Sequence, residues 1–221
     1  AREFAPSSSR TVFRIAASDY LDPQFLPRLV QDVKEQAPLS EIEIHPLNAA
    51  TDYQQQLARG DVDVVVGNWL TPPLDLHMGK LFSDEVVCLV SSKHPALRRG
   101  WDEAAWLEAD HIAPTATHPG ARGVIDEHLA NLGLRRHIVA RCPHFGLIPG
   151  MVASTLLVLT TGRQYCERFV EQLPVKILPC PVQFPPLVYY QLWHERSHTS
   201  ASGRWLRERI KSVAATLKNK P

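Results

Sequence analysis

The sequence predicts an α/β protein built as two Rossmann-like lobes joined by two crossover strands. Three observations predict it. Residues 11–67 alternate strand, helix, strand, helix, strand, an order that implies a parallel sheet with helices on its faces. The same alternation resumes beyond residue 100. An apolar strand near the end, Leu187 to His194, then returns the chain to the first lobe for a last helix.

Thr11 to Ala17 is β-branched and apolar and reads as a strand. Ser18-Asp19 reads as a turn and helix cap. Phe25, Leu26, Leu29, Val30 and Val33 fall at helical spacing through Gln36, and Pro38 stops that helix. Glu41 to Pro46 alternates as a second strand. Asp52 to Arg59 is a short helix with a stop glycine, Gly60. Asp63 to Gly67 is a nearly continuous apolar strand of the kind buried in parallel sheets.

Leu81 to Ser91 contains a strong strand, broken by His94-Pro95. Trp101 to Glu108 is helical and His111 to Pro114 a brief strand. A helix over 120–131 ends at Gly133, and Ile138 to Cys142 is a strand. Pro143 to Ser154 reads as an apolar helix, Leu156 to Thr160 as a strand, Arg163 to Val170 as a helix and Val175 to Leu178 as a strand. After the return strand, Ser197 to Ser200 reads as a loop. Ser200 to Leu217 is an amphipathic helix with Trp205, Leu206, Ile210, Val213 and Leu217 on its apolar side. The expected division is residues 1–10 as a linker remnant, 11–92 with 192–221 as lobe I, and 93–191 as lobe II.

Composition bounds the function. In 221 residues, 24 Lys+Arg balance 23 Asp+Glu for a net charge of +1. Displacing counterions from phosphates needs a cationic surplus, so DNA binding by this segment alone is disfavoured. Cys88, Cys142, Cys166 and Cys180 match no CxxC or zinc spacing and read as free thiols in a reducing cytoplasm. No apolar run reaches the ~18–20 residues of a membrane-spanning helix. His194 and His198 are four apart, but no HExxH-type ligand spacing exists, so no metal is expected. Neither a G-x-S-x-G elbow, a P-loop nor G-x-G-x-x-G occurs, so neither catalysis nor a cofactor is expected.

Ligands of parallel α/β sheets bind where strand carboxyl ends meet loops, and clefts between two lobes commonly hold small molecules. At the first-lobe strand ends stand Ser18 and Asp19, then Asn48, then Asn68. A hydroxyl with free backbone N–H groups can hold an acceptor, and an amide reads either sense of a polar edge. Capping and turn chemistry explain the same residues. Asp19 would repel an anion. Trp69 either lines the mouth of the site or covers the lobe. In the second lobe Thr115 and Thr117 supply hydroxyls from one loop.

Several ordered stretches resemble the effector-binding domain of LysR-type transcriptional regulators. "FRIAASDYLDPQFLPRLVQDVKEQAP" is similar to the family's first strand and helix, and "QQLARGDVDVVVG" carries Leu57, Gly60, Asp61, Asp63 and Gly67 of its next pattern. "SSKHPAL" resembles the crossover. Pro143-His144-Phe145, Trp193-His194 and Trp205-Leu206-Arg207 resemble the nodulation and naphthalene-degradation branch. The resemblance implies a fold like type 2 periplasmic binding proteins, and a small, aromatic effector bound between the lobes. It places His118 near that effector, with His144 pairing to an acidic group and Phe145 stacking on a ring. It further implies a cytoplasmic homodimer or homotetramer, pairing the helix near Arg28–Gln36 with the one near Arg122–Asn131. DNA would be a partner only through a winged helix-turn-helix preceding this segment. A solute-binding protein of a transport system is the alternative on the same fold.

Overall fold

The computed structural model describes residues 3–47, 50–115 and 122–218. The chain forms two compact units, Ala1–Ser83 with Val188–Pro221, and Asp84–Leu187.

In the first unit, β1 (Val12–Ala17) is flanked by β2 (Glu41–Pro46) and β3 (Val64–Asn68), both parallel to it. β10 (Leu187–Trp193) runs antiparallel to β3, and β4 (His77–Asp84) completes the order β2-β1-β3-β10-β4. β3 is buried along Val64–Gly67, as its unbroken apolar run requires. Helix α1 (Phe25–Gln36) buries Phe25, Leu29 and Val33, one stripe at helical spacing. Pro27 sits in its first turn, where a missing N–H costs nothing. Helix α2 (Tyr53–Arg59) opens on Asp52, whose carboxylate accepts the Gln55 N–H at 3.1 Å. It closes on Gly60 at φ 82°.

The last helix, α8 (Ala201–Lys218), lies along α1: Arg28 donates to Thr216, and Arg209 reaches Asp32 at 3.5 Å. Its Leu206, Ile210, Val213 and Leu217 are buried. The segment expected as a linker remnant belongs, over residues 3–10, to this unit. Phe4 packs on Trp205 and Phe13 with ring centroids 5.3 and 6.1 Å apart.

The second unit repeats the scheme around β5 (Val86–Ser91), whose six residues are all buried. The order is β7-β6-β8-β5-β9, with β6 (Asp110–Pro114), β7 (His137–Cys142), β8 (Val158–Gly162) and β9 (Val175–Pro179). β7 and β8 run parallel to β6, while β5 is antiparallel to β8 and β9. Its helices are α3 (Glu103–Glu108), α4 (Val124–Asn131), α5 (Ile148–Ala153) and α6 (Arg163–Val170). Trp106 on α3 and Leu129 on α4 pack with Cys88, Val90, Val158 and Val182.

Three expectations change. The unit boundary falls after Ser83 rather than at residue 92, because β5 pairs with β8 and β9 and so belongs to the second sheet; the return boundary falls at 187/188 rather than 191/192. The strong strand expected within Leu81–Ser91 is β5, and β4 ends just before it at Asp84. The expected Pro143–Ser154 helix is a 3-10 turn, Phe145–Leu147, followed by α5. The expected loop after β10 contains a one-turn helix, α7 (Glu195–His198), capped by the His194 ring accepting the Arg196 N–H at 3.1 Å.

Candidate functional site

Because β1, β2 and β3 are parallel, their carboxyl ends share one edge of the first sheet. Ser18 and Asn68 both stand there. Ser18 is buried; its N–H donates to the Val66 carbonyl at 3.1 Å, which ties the end of β1 to β3. Its hydroxyl faces the Tyr20 phenol, whose acidity burial weakens despite that contact. Asp19 is exposed on the turn. Neither residue caps α1: that helix starts at Phe25, after Gln24, with no side-chain cap. The turn before it is held instead by Asp22, accepting the Gln24 N–H at 3.0 Å.

Asn68 is half-buried, and its side-chain oxygen is fully buried with no hydrogen-bond donor. Native proteins rarely leave a buried acceptor unused, and among the described residues none donates to this one. Trp69 turns away from that role: it stacks obliquely on Tyr53 at 5.8 Å and packs with Leu47 over the apolar cluster of Ala16, Leu57 and Val65. Gly67 makes room for it. A Cβ there would meet Leu47 Cδ2 at 3.0 Å and Trp69 Cη2 at 3.2 Å. Asn48 lies outside the described residues.

The second sheet has the same kind of edge, where β6, β7 and β8 end together. Thr115 is exposed there and is fixed by its N–H donating to the Cys142 carbonyl at 3.1 Å. His144 follows β7, exposed, with its ring making no cap bond to the 3-10 turn it precedes. Its carbonyl is used instead, accepting from the Leu147 N–H at 3.0 Å and the Cys142 thiol at 3.4 Å. The ring is therefore available to solvent and solutes.

Phe145 is a correction. Its ring is only 3% exposed and packs edge-on to Tyr165 at 4.7 Å, while the Tyr165 hydroxyl donates to its carbonyl at 2.6 Å. It presents no face for stacking on a bound ring; it anchors the loop that carries His144. Thr117 and His118 lie outside the described residues.

Sequence reasoning missed Asp84. Its carboxylate accepts the Gln164 N–H at 2.9 Å at the start of α6, beside the end of β8. Burial pushes it up to about 6. The sequence shows one strong strand within Leu81–Ser91, so the separate strand ending at Asp84 gave no signal.

The chain belongs to the LysR substrate-binding domain family. That family matches residues 6–215, both units included. The HTH-type transcriptional regulator SyrM of Rhizobium meliloti (strain 1021) is 30% identical over 212 residues, 96% of this chain and 64% of SyrM. The HTH-type transcriptional activator NahR of Pseudomonas putida is 28% identical over 207 residues, 93% of this chain and 68% of NahR. The chain thus spans about two thirds of the length of such relatives. Among solved structures, the probable transcriptional regulator PA0477 from Pseudomonas aeruginosa superposes with a TM-score of 0.84 at 26% identity, over 96% of this chain and 69% of that one.

Against this LysR background the remaining histidines have structural work. His94 caps a 3-10 turn by accepting the Ala96 N–H at 3.0 Å. His198 accepts the Trp193 indole N–H at 3.1 Å and lies under His77, ring centroids 3.8 Å apart, while His77 bonds Glu195. Among the described residues no group of three or more His, Cys, Asp or Glu is placed to hold a metal ion, and no helix is long and apolar enough to cross a membrane.

Proposed function

We propose that this chain is the effector-sensing part of a LysR-type transcriptional regulator, taking a small acidic, aromatic effector. The family match across both units is the observation that carries the reading. Two features of the sites support it. The first unit offers a buried, unused acceptor on Asn68 beside Ser18. The second offers the exposed His144 ring beside the exposed Thr115 hydroxyl. Each sheet edge by itself offers hydrogen-bonding groups suited to a small hydroxylated or aromatic acid: an amide acceptor for a hydroxyl on the first, and an exposed imidazole with a hydroxyl on the second. Of the expected nine site residues, Ser18, Asn68, Thr115 and His144 remain as proposed direct contacts.

Regulation follows if the effector binds one arrangement of the domain more tightly than another. DNA contact belongs to the remaining third of the relatives' length, in keeping with the neutral charge of this segment. A cytoplasmic homodimer or homotetramer, pairing α1 of one copy with α4 of another, completes the proposal.

The test is a thermal-shift screen of the chain against aromatic acids, phenols, aliphatic acids, amino acids and sugars, repeated with His144→Ala. A ligand at 100 times its Kd stabilises by about 2.7 kcal/mol. A shift with an acid, lost in the variant, is the expected result. A shift that survives His144→Ala moves the site. A response confined to amino acids or sugars overturns the effector class and favours a transport-type binding protein.

A further inference from the structure

Two thiols lie together in the second unit, on adjacent antiparallel strands. Cys88 is opposite Leu178 in the β5–β9 register, so Cys180, two residues on, falls diagonally beside it on the same sheet face. Both belong to one apolar cluster with Trp106 and Val182. The Cys88 thiol touches the Thr160 hydroxyl at 3.5 Å, and the two cysteines perturb each other's acidity in opposite directions. Cys180 follows the end of β9, off the ladder, so its backbone can adjust to the narrow geometry of a disulfide.

Their surroundings differ in kind. Cys88 is fully buried, whereas Cys180 is partly exposed. Burial raises the Cys88 thiol. Cys180 is lowered by the Cys88 hydrogen bond, by the Val182 N–H and by the Arg136 guanidinium. Arg136 is itself fixed in place. It is held through Nε and Nη2 on Asp126 at 2.8 and 2.9 Å, and its third nitrogen, Nη1, is buried with no acceptor. A buried cation with a spare donor stabilises an anion nearby, and a thiolate is the species that reacts.

We propose that Cys180 and Cys88 form an oxidisable pair, in which a hydroperoxide converts the two thiols to an intrachain disulfide. The Cys180 thiolate attacks the peroxide O–O bond, forming a sulfenic acid and releasing the alcohol or water. The Cys88 sulfur then attacks the sulfenic sulfur, its proton leaving with the departing hydroxide as water. Two thiols are oxidised and one peroxide is reduced. This site is separate from the effector contacts and does not depend on them.

The test treats the 221-residue chain with hydrogen peroxide, blocks residual thiols after unfolding, and maps the peptides by mass spectrometry. The expected product has lost two hydrogens, links the Cys88 and Cys180 peptides, and reverts with dithiothreitol. Cys142 and Cys166 stay reduced. The oxidation rate rises with pH through a midpoint below that of a free thiol. Cys88→Ser leaves a sulfenic acid on Cys180 that dimedone traps, and Cys180→Ser abolishes the reaction. Wild-type chain in which Cys180 is alkylated no faster than in denaturant, and yields no linked peptide, overturns the proposal. So does a disulfide joining Cys180 to any other cysteine.

Discussion

At the residue scale, the most constrained titratable group is His111. It is fully buried, its Nε2–H donates to the Trp106 carbonyl at 2.6 Å, and its Nδ1 has no partner. A second proton would sit on Nδ1 with nothing to accept it, so burial lowers the ring to about 4. Between that value and the ordinary 6.5 the unfolded chain binds the proton and the folded one does not. His111 therefore contributes stability that is complete above pH 6.5 and lost as pH falls toward 4, by about 3 kcal/mol. Asp84, raised to about 6, runs the other way, losing stability as pH rises through the same range. Comparing wild type with His111→Gln by urea unfolding at several pH values cancels Asp84 and isolates the histidine. The wild-type advantage should shrink from pH 7 to pH 4, and a constant difference would refute the assignment.

At the element scale, α2 shows how a distant segment finishes a local structure. Gly60 takes the left-handed conformation that ends the helix. Arg196, on α7, then lays its guanidinium across that end and donates from Nε to the Leu57 carbonyl at 2.9 Å. The cation meets the negative end of the helix, where unpaired carbonyls gather. A Cβ on residue 60 would lie 2.1 Å from an Arg196 nitrogen. Gly60→Ala should cost about 2 kcal/mol, from the left-handed backbone alone about 1–2 kcal/mol and from the displaced arginine besides. Arg196→Ala should cost less, and adding Gly60→Ala to it should cost less than in wild type. Additive losses in a double-mutant cycle would show that the two residues act separately.

At the scale of the whole molecule, the first unit is assembled from both ends of the chain, and the second from its middle. The apolar side of α8 fills the first core beside Phe13, Phe25 and Leu29, whereas the second sheet needs only residues 86–179. Ending the chain at Ser200 should therefore unfold the first unit and spare the second. Hydrogen exchange checks this. Amides of β1 and β3 should lose protection, while those of β5 and β8 keep it. Equal loss in both sheets would mean that the units fold as one.

Much of this was legible in the sequence because it rests on local physics. The stripe of α1, the alternation of β2 and the Gly60 stop each depend on neighbours within a few residues. Two elements were not legible. α7 is a single turn held by His194 and by Trp193 with His198, and β4 takes its place in the sheet only through long-range pairing. Apolar periodicity also cannot tell which sheet a buried strand joins, so β5 was expected in the wrong lobe. For the site, the order of strands and loops sufficed to place Ser18, Asn68, Thr115 and His144 at strand ends. Side-chain direction was beyond it. Only packing decided that Phe145 and Trp69 turn inward, because their burial against Tyr165, Tyr53 and Leu47 depends on residues far away in the chain. The sequence alone thus determined the family, the α/β alternation and the strand-end positions. Tertiary structure decided the sheet partners, which side chains stay exposed at the strand ends, and the meeting of Cys88 with Cys180, since each depends on contacts that form only when distant segments come together.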